Sequence, residues 1–168
     1  MKLLLAAALL VTTATTPNYD WKLTPSGWGP VRIGMNRDQV SKALKVQLEG
    51  DAFDNEGNCI ELYPDSDQLK GTYFMFIDGK LSRISVSEST KVVTPSGIHV
   101  GSTAEQVRTA YGAKLQAEAH HYLGEPAEYL TFWLKPKARG VRFETDAQQK
   151  VDVIHAGNDT IELIEGCA

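Results

Sequence analysis

The sequence has no hydrophobic run long enough to cross a bilayer. Its longest apolar run, from Leu3 to Val11, has nine residues, whereas a membrane-spanning helix needs about 20. Lys2 precedes this run, and the small residues from Thr12 to Thr16 follow it, which is the pattern of a secretory leader. We therefore expect residues 1–16 to be a signal peptide and the mature chain to be periplasmic or secreted, with no membrane insertion.

Cysteine is scarce, with only Cys59 and Cys167 in the chain. Neither is close to the leader, so we expect no lipid anchor on a mature N-terminal cysteine. In an oxidising compartment, an even pair of cysteines is most simply a disulfide. Closing a loop of this length, about 108 residues, would stabilise the fold by about 4–5 kcal/mol on the chain-entropy model. The alternative is two free thiols at a reactive site.

The sequence also lacks a positive charge excess and the common catalytic motifs. Without Lys2 the chain has 16 basic and 21 acidic residues, a net charge of −5, so nucleic acid is not an expected partner. H-E-x-x-H, G-x-S-x-G and phosphate-binding glycine loops are absent. The acidic stretch 50–58 lacks the alternating spacing of a calcium loop and is predicted to be a solvated turn. We therefore predict no metal, no cofactor and no enzymatic activity.

The four histidines show no pattern typical of a site. His120 and His121 are adjacent, so on a strand they would point to opposite faces and could not bind one metal ion. His99 is expected on the surface of a strand, and the spacing of Asp152 and His155 is common by chance. A zinc or hydrolase site that the sequence does not reveal is the alternative.

One stretch of the sequence occurs twice, at residues 31–40 and 98–107. The shared positions are a glycine, an N-cap candidate two residues later and a glutamine three residues after the cap: Gly34, Asn36 and Gln39, then Gly101, Thr103 and Gln106. This spacing is that of a capping box, and an apolar stripe of helical period follows it in both copies. Thr-Pro-Ser-Gly also precedes both copies, at 24–27 and 94–97. We interpret the pattern as a duplicated strand–turn–helix unit.

The two predicted helices run from about Arg37 to Lys45 and from Ala104 to Tyr111, with Gly112 as a C-cap. Strand signals follow each helix, and Asp78-Gly79 is the strongest hairpin signal in the chain. The predicted strands are 59–63, 73–77, 81–86, 115–122, 129–134, 141–144, 151–154 and 161–164. The sequence therefore predicts an α+β fold, a tandem repeat of helix plus antiparallel meander at 17–93 and 94–168. The strands could form one continuous sheet with the helices on one face.

Strand alternation sorts the side chains of this sheet onto two faces. An apolar set is expected under the helices: Phe74, Phe76, Ile84, Val86, Leu130, Phe132, Leu134, Val141 and Phe143. The opposite set combines aromatic and charged residues: Tyr73, Met75, Arg83, Tyr129, Thr131, Trp133, Arg142 and Glu144. Aromatic residues and arginine are enriched in protein-binding surfaces. The alternatives are that loops cover this face or that a register error of one residue exchanges the faces.

The second set leads to the functional prediction. We expect a non-catalytic exported protein that binds a protein partner. One form of this function would be inhibition of the partner. The predicted partner-binding residues are Tyr73, Met75, Arg83, Tyr129, Trp133, Arg142 and Glu144. A second hypothesis is a carbohydrate- or peptidoglycan-binding module in which Trp133, Tyr129 and Tyr73 stack on sugar rings. A small hydrolase is the third.

The stretch from Gly34 to Val40 resembles the helix entry "GMxxxxV" of small bacterial envelope proteins. These include the β-lactamase inhibitory proteins and the outer-membrane assembly lipoproteins of the SmpA/OmlA type. The first of these families implies an exported tandem repeat whose concave sheet grips a target protein. The second carries a lipidated N-terminal cysteine that has no counterpart here. The ending Ile164-Glu165-Gly166-Cys167 is similar to that of exported proteobacterial proteins without an assigned activity.

Overall fold

A computed structural model describes residues 19–50, 58–88 and 91–167 of the 168-residue chain. The predicted signal peptide, residues 1–16, lies outside the described residues. So does most of the acidic stretch for which a solvated turn is predicted.

Two short helices begin at the duplicated capping boxes: α1 is Arg37–Leu44 and α2 is Ala104–Tyr111. In each box the N-cap side chain accepts a hydrogen bond from the glutamine N–H, and the glutamine side chain accepts one from the N-cap N–H. These contacts satisfy two N–H groups that a helix start otherwise leaves unpaired. The predicted helix positions and the Gly112 C-cap are confirmed. Within the described ranges, neither helix is long and apolar enough to cross a membrane.

Before α1, the chain forms a small sheet that the sequence pattern did not predict. Its strands are β1 (Leu23–Thr24), β2 (Gly27–Trp28) and β3 (Val31–Arg32). Trp28 is buried at its centre, and the ring of Trp21 lies 5.6 Å from that of Trp28, edge to face. The duplicated unit predicted only β3 of these strands; β1 and β2 were missed, because strands of two residues are too short to show alternation.

The remaining strands form one eight-stranded antiparallel sheet. They are β4 (Leu48–Glu49), β5 (Cys59–Pro64), β6 (Thr72–Ile77), β7 (Lys80–Ser87), β8 (Leu115–Ala119), β9 (Glu128–Lys135), β10 (Arg139–Thr145) and β11 (Val151–Gly157). Their spatial order is β4-β5-β6-β7-β11-β10-β9-β8. The protein is therefore an α+β fold, mostly antiparallel sheet with two short helices.

The β6–β7 hairpin turns at Asp78 and Gly79, as predicted. Both residues have positive φ, 49° and 71°, which is the conformation that a type I′ turn requires. The twist of a type I′ turn matches that of the flanking strands, so the two turn residues are sufficient to set the pairing of β6 with β7.

The face of the sheet toward the helices contributes to a single hydrophobic core. Cross-strand neighbours such as Phe143 and Leu130 pack there together with Val40 of α1 and Val107 of α2. The ring of Tyr111 lies 5.0 Å from that of Phe132. Leu134 is the exception among the predicted core residues, since it is 63% exposed near the end of β9.

Two local predictions near the ends of strands were wrong. The residues expected to form a last strand, Ile161 to Ile164, lie in and after a 3₁₀ helix, Asp159–Glu162, which Asn158 caps through its side chain. Strand β8 ends at Ala119, so His120 and His121 lie beyond it and not on alternate faces of a strand. In both cases a short segment turns where alternation had suggested an extended strand.

Candidate functional site

The face of the eight-stranded sheet that points away from the helices is called here the second face. The strand register aligns a polar row across its middle, in which Ser85 is opposite both Tyr73 and His155, and Arg142 is opposite His155 and Thr131. A central sheet face of this kind is chemically unlike a hydrophobic core, because it carries two arginines, a histidine and a carboxylate.

Residues 158–167, called here the C-terminal cover, lie across the second face. Arg83 Nη1 donates hydrogen bonds to the carbonyl oxygens of Thr160 and Leu163, at 3.0 and 2.9 Å, and Arg142 Nη1 donates to that of Ile161 at 3.5 Å. The side chain of Ile161 is fully buried and packs over Gly140, where a Cβ atom would stand 2.8 Å from its Cδ1. Hydrogen bonds from the two arginines and packing on Gly140 therefore hold the cover against the sheet.

A second segment, residues 120–124, also lies on the second face and contacts the cover. The ring of His120 stacks on that of Tyr129 at 4.6 Å, and the Tyr122 hydroxyl donates a hydrogen bond to Glu165 of the C-terminal cover. This segment is called here the 120–124 loop. Together the loop and the cover shield much of the second face from solvent.

The predicted disulfide is present and fixes the end of the cover. Cys59 and Cys167 are bonded with a Cα–Cα distance of 5.5 Å, across 108 residues of sequence. Cys59 is the first residue of β5, so the bond holds the C-terminus against the half of the sheet that β4 to β7 form. The count of two cysteines predicted the bond itself.

The predicted partner-binding residues all fall on the second face but differ in exposure. Tyr73, Trp133 and Glu144 are partly exposed. The other four are buried under the cover and the loop: Met75, Arg83, Tyr129 and Arg142. The structure therefore brings the predicted set together, and it leaves three of its members within reach of a partner while the cover is in place.

Each buried arginine has one carboxylate partner. Arg83 Nη2 lies 3.3 Å from Glu61, and Arg142 Nη2 lies 3.2 Å from Glu118. Desolvation lowers the pKa of Arg83, and the charge of Glu61 opposes that shift. The guanidinium carbon of Arg142 also lies 4.1 Å from the centre of the Tyr129 ring, a cation–π contact. Each arginine thus pairs its Nη2 with a carboxylate and donates from its Nη1 to the cover.

The structure reveals a hydrogen-bonded chain that the sequence did not indicate. His155 Nδ1 lies 2.8 Å from Ser85 Oγ, and its Nε2 lies 3.1 Å from Glu144 Oε1. Alternation alone could have placed Ser85 and His155 on the second face, since both stand between core residues. Only the sheet order makes them neighbours, because β7 and β11 come from different halves of the chain and pair in the middle.

The other histidines do not assemble a site. His99 is exposed, but residues 97–99 form no strand, so the strand predicted in the second copy of the unit was wrong. The Nδ1 of His99 lies 2.8 Å from the carbonyl oxygen of Val100. Within the ranges that the structure describes, no three His, Cys, Asp or Glu side chains are grouped as metal ligands.

Comparison of the chain with models of known families, with curated proteins and with solved structures finds no match. The family resemblances carried by the short glycine-containing motif stay predictions.

Proposed function

We propose that this chain is an exported binding protein whose second face and C-terminal cover form a contact surface for another protein. One observation carries the proposal. Six large hydrophobic residues are exposed in the described chain, and four of them lie on the cover and the adjoining loop: Leu123, Tyr122, Leu163 and Ile164. Clustered apolar exposure of this kind marks interaction sites.

These four side chains are well exposed, at 57%, 60%, 44% and 43% in the same order. The Tyr122–Glu165 hydrogen bond joins the two segments that carry them. Trp133 and Tyr73 are half-buried on the sheet beneath. Tyrosine and tryptophan supply large contact area at low entropic cost, which suits the centre of an interface.

The chemistry of the second face favours a polypeptide partner over a sugar. It already holds one polypeptide segment through arginine-to-carbonyl hydrogen bonds. Stacking on sugars would need open aromatic faces, whereas His120 and Arg142 both lie against the ring of Tyr129. Inhibition of an enzyme partner is one form that this binding could take.

We also propose that the two halves, residues 17–93 and 94–168, are copies of one unit. Each half supplies a helix and then four successive strands of the sheet. The glycine turns before the helices make equivalent contacts: Gly34 N–H donates to the Leu81 carbonyl oxygen, and Gly101 N–H donates to that of Val151. Export is proposed from the leader pattern and agrees with the disulfide.

The test is a pull-down from envelope extract with the oxidised protein and three variants. We expect a specific protein to be captured by the wild type and lost with Leu123→Ser/Ile164→Ser and with Tyr73→Ala/Trp133→Ala. The matched control is Leu134→Ser, because Leu134 is equally exposed but belongs to the helix side of β9.

The captured protein is then purified, and its dissociation constant is measured against the same variants. Equal binding by all variants, or equal loss with Leu134→Ser, would refute the proposed surface. Capture of glycan on an array, with no protein captured, would support the carbohydrate module instead.

A further inference from the structure

Ser85, His155 and Glu144 form a continuous hydrogen-bonded chain on three neighbouring strands of the second face. The two links, Oγ to Nδ1 and Nε2 to Oε1, measure 2.8 and 3.1 Å. Strands β7, β11 and β10 lie at the centre of the sheet, so the chain is built on rigid elements rather than on loops. Precise positioning of this kind is what a reactive hydroxyl needs.

The partners decide which ring nitrogen carries the proton. Desolvation raises the pKa of Glu144, but the hydrogen bond from His155 and the charge of Arg142 bring it below the ordinary value. An ionised carboxylate can only accept, so Nε2 must carry the hydrogen and Nδ1 must present its lone pair. The Ser85 hydroxyl therefore donates to Nδ1. This is the direction in which a serine transfers its proton to a base.

The surroundings supply a neutral base and positive charge. Burial lowers the pKa of His155, which keeps the imidazole neutral near pH 7. Arg83 stands two residues before Ser85 on the same strand and face, and Arg142 is directly opposite His155 on β10. The two arginines place positive charge on the same face as Ser85, which would stabilise a developing oxyanion. Their Nη atoms already bind the cover, Glu61 and Glu118, so they would act through charge and not through a direct hydrogen bond.

We propose that Ser85 is a nucleophile for acyl transfer, with His155 as its general base and Glu144 as the residue that positions the imidazole. The substrate class is an activated carboxylic ester. Ser85 Oγ bonds to the acyl carbon while its proton moves to Nδ1 of His155, and that proton then passes to the departing alkoxide. Water, deprotonated by the same nitrogen, adds to the acyl carbon; the bond from that carbon to Oγ breaks, the proton on Nδ1 returns to Ser85, and the carboxylic acid leaves. This proposal goes beyond the sequence-based expectation of a non-catalytic protein and is independent of partner binding.

Access to the hydroxyl depends on the cover. Ser85 is 5% exposed, beneath a face that the C-terminal cover and the 120–124 loop shield. The Tyr122–Glu165 hydrogen bond joins these two segments and is itself exposed. Solvent competes with an exposed hydrogen bond, so this contact can open at low cost. Loss of this hydrogen bond would let the 120–124 loop move away and admit a small ester, while Arg83, Arg142 and Ile161 keep the cover on the sheet.

The experiment is labelling of the full oxidised chain with a fluorophosphonate. The Ser85 oxygen would bond to phosphorus, fluoride would leave, and the proton would pass to His155. We expect one adduct by intact mass, mapped to the peptide that contains Ser85, and no adduct with Ser85→Ala. Ser87→Ala is the matched control, because Ser87 lies two residues on along the same face, opposite Val153.

Three further variants separate a loss of chemistry from a loss of structure. His155→Gln should slow labelling by at least about 100-fold, the usual contribution of a general base. Glu144→Gln should shift the pH profile of labelling, since an amide no longer requires hydrogen on Nε2. Tyr122→Phe should label faster than wild type. Near-UV circular dichroism checks that each variant is folded.

Hydrolysis of p-nitrophenyl acetate gives a second readout with the same variants, and we expect it to be lost with Ser85→Ala. Labelling of Ser85→Ala at the wild-type rate would overturn the proposal. So would the absence of any adduct on both wild type and Tyr122→Phe.

Discussion

His155 is the residue at which burial, charge and hydrogen bonding interact most closely. Desolvation lowers the pKa of its imidazole below the ordinary value of 6.5, the hydrogen bond that it donates to Glu144 opposes that shift, and the charge of Arg83 adds to it. Glu61, on the far side of Arg83, also opposes it. Because the pKa of His155 is lowered overall, this histidine is neutral in the folded protein at pH values at which it is protonated in the unfolded chain.

Stability should therefore fall as the pH drops below about 6.5, because only the unfolded state then gains a proton at this position. One such proton changes the free energy of unfolding by up to about 1.4 kcal/mol per pH unit. We expect urea unfolding between pH 7.5 and 5.5 to show this loss for wild type and a shallower one for His155→Gln. Glu144 does not confuse the result, since its contribution is lost only below its ordinary pKa of 4.5.

His99→Gln is the control for this measurement, because His99 is exposed. Equal pH slopes for wild type and His155→Gln would show that burial does not lower the pKa of His155.

At the scale of elements, the C-terminal cover has two sides with different roles. Ile161 is fully buried against Gly140, whereas Ile164, three residues further on, is 43% exposed. The buried side attaches the cover to the sheet. The exposed side belongs to the proposed contact surface. One short segment thus offers a matched pair of isoleucines that separates attachment from binding.

Ile161→Ala should lower the free energy of unfolding by about 2–5 kcal/mol, the usual cost of truncating a buried isoleucine. Ile164→Ala should change it by less than about 0.5 kcal/mol. Chemical denaturation measures both, and hydrogen exchange of residues 158–167 should rise for Ile161→Ala alone. Equal destabilisation by the two variants would contradict the two-sided arrangement.

For the whole molecule, the Cys59–Cys167 disulfide joins the first half of the sheet to the last residues of the second half. It closes a loop across 108 residues of sequence and also fixes the end of the cover over the second face. Removing the disulfide frees the C-terminus in both the folded and the unfolded state. Its loss should therefore change both the free energy of unfolding and the access of solvent to the second face.

Cys59→Ser/Cys167→Ser should lower the free energy of unfolding by about 4–5 kcal/mol on the chain-entropy model. Urea denaturation of the variant measures this loss, and wild type in a thiol reductant should match it. We also expect faster hydrogen exchange at 158–167 in the variant. A loss well under 1 kcal/mol would show that the cover and sheet hold the C-terminus without the bond.

Local sequence was sufficient for the elements whose signals lie within a few residues. The capping boxes at Asn36 and Thr103 predicted where both helices begin, and Asp78-Gly79 predicted the central hairpin of the first half. Alternation placed Phe74, Leu130 and Phe143 in the core because side-chain direction in a strand depends only on position. The cysteine pair was predicted because there was only one possible pairing.

The second face was predicted as a set of residues, with coverage by loops as an open alternative that the sequence could not decide. Alternation could assign Arg83 and Arg142 to one face, yet it carries no information about what packs against that face. The 3₁₀ helix at Asp159–Glu162 has too few residues for a periodic pattern, so it was mistaken for a strand. Ile161 of this 3₁₀ helix packs on Gly140, a contact between segments that only the tertiary structure brings together.

The sequence by itself determined the helices, the hairpin, the disulfide and the sorting of side chains onto two faces, because each depends on local spacing or on a count. Tertiary structure alone decided that β7 pairs with β11, which brings Ser85, His155 and Glu144 into one hydrogen-bonded chain. It also decided that the C-terminal segment covers the arginines. Both outcomes depend on contacts between residues far apart in the chain, and no local pattern encodes those contacts.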